Sequence, residues 1–531
     1  MMNDVLAPTS AAPSAADFTS PLCWSFAGLS AAMLVTELQK FLSHQDDRLP
    51  WQLIWLNNND APVIGILPKV SWSLSVLAQK NDHGKARYQL NTTYRDEAPT
   101  AQTSQITYEA WQQLLIDYAH RFEPPNHDLK SADNPSYHHG LMGFIGYDIA
   151  ANELSPNAAI GQEKHQPCAM LGHYDIYLTP CQKNGKNLWQ LTVHQPKSEW
   201  LINPRIRKLI TYLTAFDNQI TSKAAVPLQP PLTLNAIWQM TDYQQAFEST
   251  QNYLLNGDCY QINLTQAWQS EPLTASAALI DYLPALIAKT KAPFAGYLAL
   301  PSFQNCALEN QHHNLGFELL SCSPELFFTF NRDNHNLTIT TKPIKGTQPR
   351  GYDDLEDEQL KAKLQDSEKD RSENVMIVDL LRNDLGKYAQ IGSVKVPKLF
   401  AVESFSNVHH LVSTITATLK PEIHPLAVLF GSLPAGSITG TPKKRAVEII
   451  SSLESDARGA YCGTMGFMNF DGSGQWNVLI RTLQASINND GQKQISVWAG
   501  GGITVASNCD DEYQECLDKV GNVLAVLSQS N

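Results

Sequence analysis

A handful of short stretches carry the side chains able to do chemistry. In DSEKDRSENVMIVDLL, Asp370 and Glu373 stand three residues apart, and in CDDEYQECLDKV the same spacing separates Glu512 from Glu515. On helices that spacing puts both carboxylates of a pair on one face. Such pairs are either solvated acidic faces or, taken together, an oxygen-only set suited to a magnesium ion that keeps water and ligand oxygens. Lys345, in TTKPIKGTQPRG, is either a solvated charge or, if it faces a site, the best nucleophile this sequence offers. His409 and His410, in NVHHLVST, are a catalytic base or satisfied core histidines. Arg481 interrupts the apolar strand NVLIRTL, and a buried arginine there needs a carboxylate partner or an anionic ligand. The three glycines 500–502 in WAGGGITVAS make a tight turn or let backbone N–H groups approach a carboxylate.

Other chemistries are excluded. GSLPAGSITGTPKKR has glycines at 436 and 440 followed by Thr441-Pro442, which does not meet the phosphate-loop pattern. There is no Gly-x-Ser-x-Gly elbow for a serine hydrolase, nor a Gly-x-Cys-x-Gly of glutaminase type.

The elements that must position these residues follow from periodicity. TDYQQAFESTQNYLLNG reads as a helix with Thr241 or Asp242 as N-cap and Asn256-Gly257 as its stop. CYQINLTQAW alternates like a strand, ELFFTF and NLTITT form a hairpin through NRDNH, and Lys345 falls just past the second strand. YCGTMGFMNF, QWNVLIRTLQASI and QISVWAG read as an antiparallel meander joined by DGSG and NNDG turns. DRSENVMIVDLLRNDLG and DEYQECLDKVGNVLAVL are amphipathic helices. Segregated strands and helices predict an α+β (mixed α/β) fold.

With 531 residues the chain exceeds one ordinary core. Prolines cluster in AAVPLQPPLTL, which marks a linker at 224–234 between an N-terminal region, 21–223, and a catalytic domain, 235–528. Residues 1–20 read as a disordered leader without the blocks of a signal peptide. Hydrophobic content of 43% and charged content of 17% are those of a globular protein, and no run approaches a membrane span. A net charge of -13 opposes nucleic-acid binding. Nine cysteines without a Cys-x-x-Cys pair fit free thiols and a cytoplasmic location.

Taken in order, GDCYQINLTQ, CSPELF, TKPIKGTQPRG, DRSENVMIVDLLRNDLG, VESFSNVHHLVSTI, PAGSITGTPKKRAVEII, RGAYCGTMGF, NVLIRTL and WAGGGITVASNCDDEYQECLDK resemble the chorismate-utilising enzymes. That family includes the anthranilate, aminodeoxychorismate, isochorismate and salicylate synthases. The likeness spans residues 240–525, and residues 20–195 share it only loosely. It implies two stacked antiparallel β-sheets flanked by helices, with a magnesium-dependent chorismate site between them. By motif, Glu373 and Glu515 correspond to the magnesium carboxylates, with Asp370 and Glu512 behind them. Tyr461, Arg481, Lys519 and the backbone of Gly500, Gly501 and Gly502 correspond to the grip on the enolpyruvyl carboxylate. Gly346 and Thr347 line the same pocket, and His410 and Thr439 stand near the ring.

Two positions separate the family's branches. Members that add water at ring C2 resemble one another in a lysine base where this chain has Gln261, and an amide cannot take that proton. At the other position, in TTKPIKGTQPRG, anthranilate synthases resemble one another in Pro-Ile-Ala-Gly-Thr and aminodeoxychorismate synthases in Pro-Ile-Lys-Gly-Thr, as here with Lys345. The resemblance therefore implies amination at C4, with Lys345 attacking C2 while Glu325 protonates the departing C4 hydroxyl. It also implies a glutamine amidotransferase subunit as the ammonia source, in 4-aminobenzoate and folate synthesis. The competing expectations are an anthranilate synthase component and a catalytically inactive chorismate-binding relative. Asn57 stands where relatives place a serine of a tryptophan pocket, so feedback by tryptophan is not expected.

Overall fold

The computed structural model describes all residues except 1–20, 44–50, 81–84, 97–101, 125–134, 159–165, 197–201, 221–229, 275–276, 302–314, 334–335, 405–407, 455, 488–490 and 530–531. The expected leader, most of the proline-rich stretch and three residues of the NNDG turn thus lie outside the described residues.

Two twelve-stranded sheets dominate, and the pairings between their named strands are antiparallel. The first runs in the order 23–24, 186–193, 176–183, 63–66, 53–56, 294–301, 315–323, 482–487, 493–503, 261–270 and 234–236, with 440–441 pairing 261–270. The second runs 344–349, 408–418, 336–341, 326–333, 474–477, 464–469, 140–145, 169–173, 70–80, 86–94 and 102–106, with 395–404 pairing 408–418. Strands from before residue 224 and after residue 234 share both sheets: Leu53–Leu56 pairs with Phe294–Pro301, and Gly140–Ile145 with Thr464–Asn469.

The sheets stack face to face. Ile54, Leu298 and Phe317 of the first pack with Met142, Phe144, Met465 and Phe467 of the second, and the rings of Phe144 and Phe317 stack at 5.6 Å. Helices Ala31–Ser43, Pro204–Gln219, Leu283–Thr290 and Cys509–Ser528 contribute to a second core with strands of the first sheet. Helices Tyr108–His120, Glu368–Gly386 and Pro425–Ser432 do the same on the second. The result is helices, sheet, sheet, helices, which agrees with the expected α+β class.

Three local expectations need correction. The helix Met240–Leu255 is capped by Gln239; Asp242, at the third helical position, accepts from the Gln239 N–H instead of serving as N-cap. Lys345 lies within a strand of its own, Ile344–Pro349, because Pro-Ile-Lys-Gly-Thr forms a β-bulge instead of a plain turn. QWNVLIRTLQASI is not one strand: Gly474–Asn477 belongs to the second sheet and Thr482–Ile487 to the first. Arg481, in the left-handed region at φ 50°, stands at the end of that crossing.

Candidate active site

Two crossings between the sheets run side by side. One passes from Leu315–Ser323 to Leu326–Asp333 through Pro324 and Glu325, and the other ends on Arg481. They are tied together by Cys322 N–H to Arg481 O at 3.0 Å, Val478 N–H to Glu325 O at 3.1 Å and Ser323 Oγ to Val478 O at 2.6 Å. Glu325 and Arg481 are thereby fixed at the seam between the sheets.

Lys345 reaches the same seam through its bulge. The register of Ile344–Pro349 against Val408–Thr418 shifts between Lys345 and Thr347, at Gly346, which has φ 75°. A bulge of this kind re-aims a side chain, and glycine supplies the positive φ. Gly346 also permits close approach: a Cβ there would stand 2.8 Å from the Asp370 carboxyl carbon. Lys345 Nζ sits 3.4 Å from Glu373 Oε2 and 3.4 Å from the place a Gly502 Cβ would occupy. Gln261 Nε2 crowds that same place, and both polar atoms of its buried side chain lack a hydrogen-bond partner.

Burial sets the protonation of the acid. It pushes the Glu325 carboxyl up to about 7, although Lys345, the Ile344 N–H, Lys519 and Arg481 all pull the other way. Arg481 is lowered by burial and makes no side-chain hydrogen bond or ion pair among the described residues. A sequestered guanidinium without a partner calls for an anionic ligand.

The two adjacent histidines divide their roles, because successive strand residues face opposite ways. His409 is enclosed, with Nε2 at 2.9 Å from Asp357 Oδ1 and Nδ1 at 2.8 Å from Ser404 Oγ. His410 shares a 2.9 Å hydrogen bond with Thr347 Oγ1, and burial with the Arg481 charge lowers it to about 4. It lines, with Arg481 and Pro324, a cavity of about 590 Å³ that continues to Trp55, Asn57 and Lys291. Asn57 Nδ2 donates to the carbonyls of Ala292 and Pro293, so it ties one wall of that cavity to the other.

The four acidic residues come from two helix starts on different sheets. Asp370 lies in the first turn of Glu368–Gly386 and Glu512 in that of Cys509–Ser528, where the helix dipole favours negative charge, and Glu373 and Glu515 follow one turn later on the same faces. Lysines answer three of them: Lys345 on Glu373, Lys369 Nζ on Glu512 at 3.1 Å and Lys519 Nζ on Glu515 at 2.7 Å. Glu373 is raised by burial, with Glu512 adding to the effect against Lys345 and Lys369. Burial works against Glu515 too, but Lys519, Lys369 and Lys345 together hold it below its usual value. Lys519 also donates to Gly500 O at 2.9 Å, and Gly501 leaves room for Glu512 Oε2, 2.9 Å from where a Cβ would stand. The donor set is oxygen-only and partly desolvated, but no three of these carboxylates bring oxygens within 4.8 Å of one another, so an ion held here would complete its shell with water and ligand oxygens, as magnesium does.

Two expected site residues stand deeper. Thr439 is fully buried, its hydroxyl donating to Ala435 O at 2.9 Å, and its backbone carbonyl accepts from Asn263 N–H. Tyr461 packs against Trp498 at 6.1 Å, and burial, with Cys462 adding to it and Arg458 opposing, holds its hydroxyl well above the usual tyrosine range.

Arg458 was not singled out in the sequence. It is buried against Glu454 at 2.6 Å and donates to Ile438 O and Asn263 O, so it joins the Thr439 loop to the Gln261 strand. The Glu454 and Arg458 pair at i,i+4 beyond a helix was the available signal. The group His120, Glu123 and His424 brings three ligand atoms within 4.8 Å of one another. It is a poor metal set, because His424 Nδ1 accepts the Leu426 N–H and leaves the proton on Nε2.

The seam and its two carboxylate helices define an enzyme of one class: the chain belongs to the chorismate binding enzyme family, whose pattern matches residues 76–525. Among individual relatives, aminodeoxychorismate synthase component 1 of Escherichia coli is 35% identical over 496 residues, covering 90% of this chain and 98% of its own. The protein of the same name from Salmonella typhimurium is 38% identical over 410 residues, covering 76% and 80%. The crystal structure of anthranilate synthase component I from Streptococcus pneumoniae superposes with a TM-score of 0.62 at 22% identity, covering 90% of this chain and 93% of that one, which shows the shared fold.

Proposed function

We propose that the chain converts chorismate and ammonia to 4-amino-4-deoxychorismate. The observation that carries this reading is the pairing, at one seam, of a lysine amine with a carboxyl that still holds a proton near neutral pH. The free amine of Lys345 attacks ring C2, the double bond shifts, and the C4 hydroxyl leaves as water with the proton from Glu325. Ammonia then adds at C4 as the C2–N bond to Lys345 breaks, which regenerates the amine, and the proton shed by the new C4 ammonium restores the Glu325 carboxyl. The enolpyruvyl group stays in place throughout.

Arg481, with Lys519 and the Gly500, Gly501 and Gly502 backbone, would receive the enolpyruvyl carboxylate; Tyr461 would complete that grip from beneath. His410 and Thr347, linked to each other, would line the ring with Gly346 and Thr439. Glu373 and Glu515, backed by Asp370 and Glu512, would hold magnesium. The bound ion would fix the ring carboxylate and draw electron density from the ring. Ammonia would come from a glutamine amidotransferase subunit, a second component that the name component 1 of the relatives suggests. No described helix is long and apolar enough to cross a membrane, and the described cysteines are free thiols; both suit the cytoplasmic location we propose.

The test is to incubate the purified chain with chorismate, magnesium and ammonium, and to separate the products by chromatography with mass detection. An aminated product that keeps the enolpyruvyl group, with no pyruvate released, supports the reading. Fluorescent anthranilate with pyruvate overturns it.

A further inference from the structure

Three lysines stand against the carboxylate set, and two of them have work in the proposed reaction. The third, Lys369, has none. It stands in the first turn of Glu368–Gly386, beside Asp370, where the helix dipole disfavours a cation. What holds it there is the other helix: Nζ lies 3.1 Å from Glu512 Oε1, which also accepts from Ser507 Oγ at 2.7 Å. Glu512 is nearly inaccessible, 2% exposed, whereas Lys369 is 50% exposed and can swing away without opening the core. Its charge also acts on Glu373 and Glu515, the two carboxylates assigned to the metal.

We propose that Lys369 is an internal counter-cation that competes with magnesium for this carboxylate set and so weakens the site's affinity for the ion. The proposal rests on the magnesium reading given above. With Lys369 in place, three lysines face four carboxylates. Without it, two lysines face four, and a dication gains from every charge left uncompensated. A readily displaced lysine also keeps two acidic helix starts from repelling one another when no ion is bound, and Lys369 spans the gap between them. Its half-exposed position limits the effect to that of a partly screened pair.

The experiment is calorimetric titration of the full chain with magnesium chloride, without chorismate. Lys369→Gln is expected to bind magnesium about three- to tenfold more tightly than the unmodified chain, a gap that narrows as salt is added. Lys369→Arg keeps the charge and should bind as the unmodified chain does. Lys387→Gln, at the far end of the same helix and paired with Asp384, should also leave the affinity unchanged. Equal or weaker binding by Lys369→Gln, or a gap that does not respond to salt, overturns the proposal. Glu515→Gln separates the two ideas: if the unmodified chain binds no magnesium, or binds it equally well with Glu515→Gln, the magnesium reading falls and this proposal with it. If Glu515→Gln loses binding while Lys369→Gln changes nothing, only the role of Lys369 is wrong.

Discussion

Two places where the sheets meet bury clusters of polar groups, yet they are finished differently. Around His139 and His173 the partners close on one another. Tyr118 OH bonds His173 Nδ1 at 2.8 Å, His173 Nε2 meets His139 Nε2 at 2.9 Å, and His139 stacks on His194 at 4.1 Å. His194 reaches Tyr177 OH at 3.1 Å, and Arg95 forks onto Asp175 at 2.6 and 3.0 Å, with its Nε alone left without a hydrogen bond. At the other seam Arg481 makes no ion pair or side-chain hydrogen bond among the described residues, Glu325 acting on it only at a distance, and both polar atoms of Gln261 are unpaired. Buried polar groups are almost always satisfied, so a cluster that leaves a guanidinium and an amide open awaits a ligand, while the closed one holds the sheets together.

Substitutions at the open seam should therefore cost activity far more than stability. Lys345→Ala has the largest expected effect: a loss of at least about a hundredfold in aminodeoxychorismate formation, read by the same product analysis, with some amination at C2 appearing instead. An unchanged product and rate would remove the nucleophile. Glu325→Gln should lower kcat by about a hundredfold or more. Because burial raises the carboxyl to about 7, the acid is protonated below that pH, and the unmodified enzyme should lose kcat/KM as pH rises through it. The variant's pH profile should lack that limb; persistence of the limb would assign it to another group. Arg481→Lys comes next, since a point charge replaces a planar fork. It should raise KM for chorismate by about tenfold and spare kcat more, because the substitution removes one charge-assisted hydrogen bond to the bound carboxylate. An equal fall in kcat with KM unchanged would place the arginine elsewhere in the reaction.

The acidic helices and most strands were readable because their signals are local. Spacing marks Asp370 with Glu373 and Glu512 with Glu515 within single helices, and the structure sets both pairs at helix starts. The crossings were hidden for an equally physical reason. Asn477 to Leu483 is a run with no glycine or proline, apolar at most positions, and strand periodicity does not report which sheet a strand joins. Only the left-handed Arg481 breaks it, and a non-glycine residue with positive φ leaves no mark in the sequence. Pro343 and Gly346 look like turn residues around Lys345, but the glycine serves a bulge. His409 and His410 carry the same side chain, and only alternation along Val408–Thr418 tells core from cavity. The roles at the seam came from resemblance, since separations of tens of residues carry no geometry.

The closed seam yields the smallest and most gradual effect. Burial lowers His139 to about 3 and His173 to about 2, from an ordinary value near 6.5, with His194 and Lys69 adding to the shift. Both rings are neutral in the folded chain while the unfolded chain takes up protons below pH 6.5, so folding stability falls as pH drops through that value and continues to fall toward about 3. Thermal unfolding should thus occur at a temperature several degrees lower at pH 5 than at pH 7.5, with activity per folded molecule at pH 7 unaffected by a prior acid exposure that is reversed. Asp175, beside the cluster, is bonded to Arg95 and favours a charge on His194, yet burial outweighs it and holds His194 below its ordinary value too. His139→Phe keeps the stacked shape on His194 while removing one titrating group, so its unfolding temperature should depend less steeply on pH between 6.5 and 4, by about one proton's worth of linkage. An unchanged slope would mean that the ring already carries its proton in the fold, and that this seam is open after all.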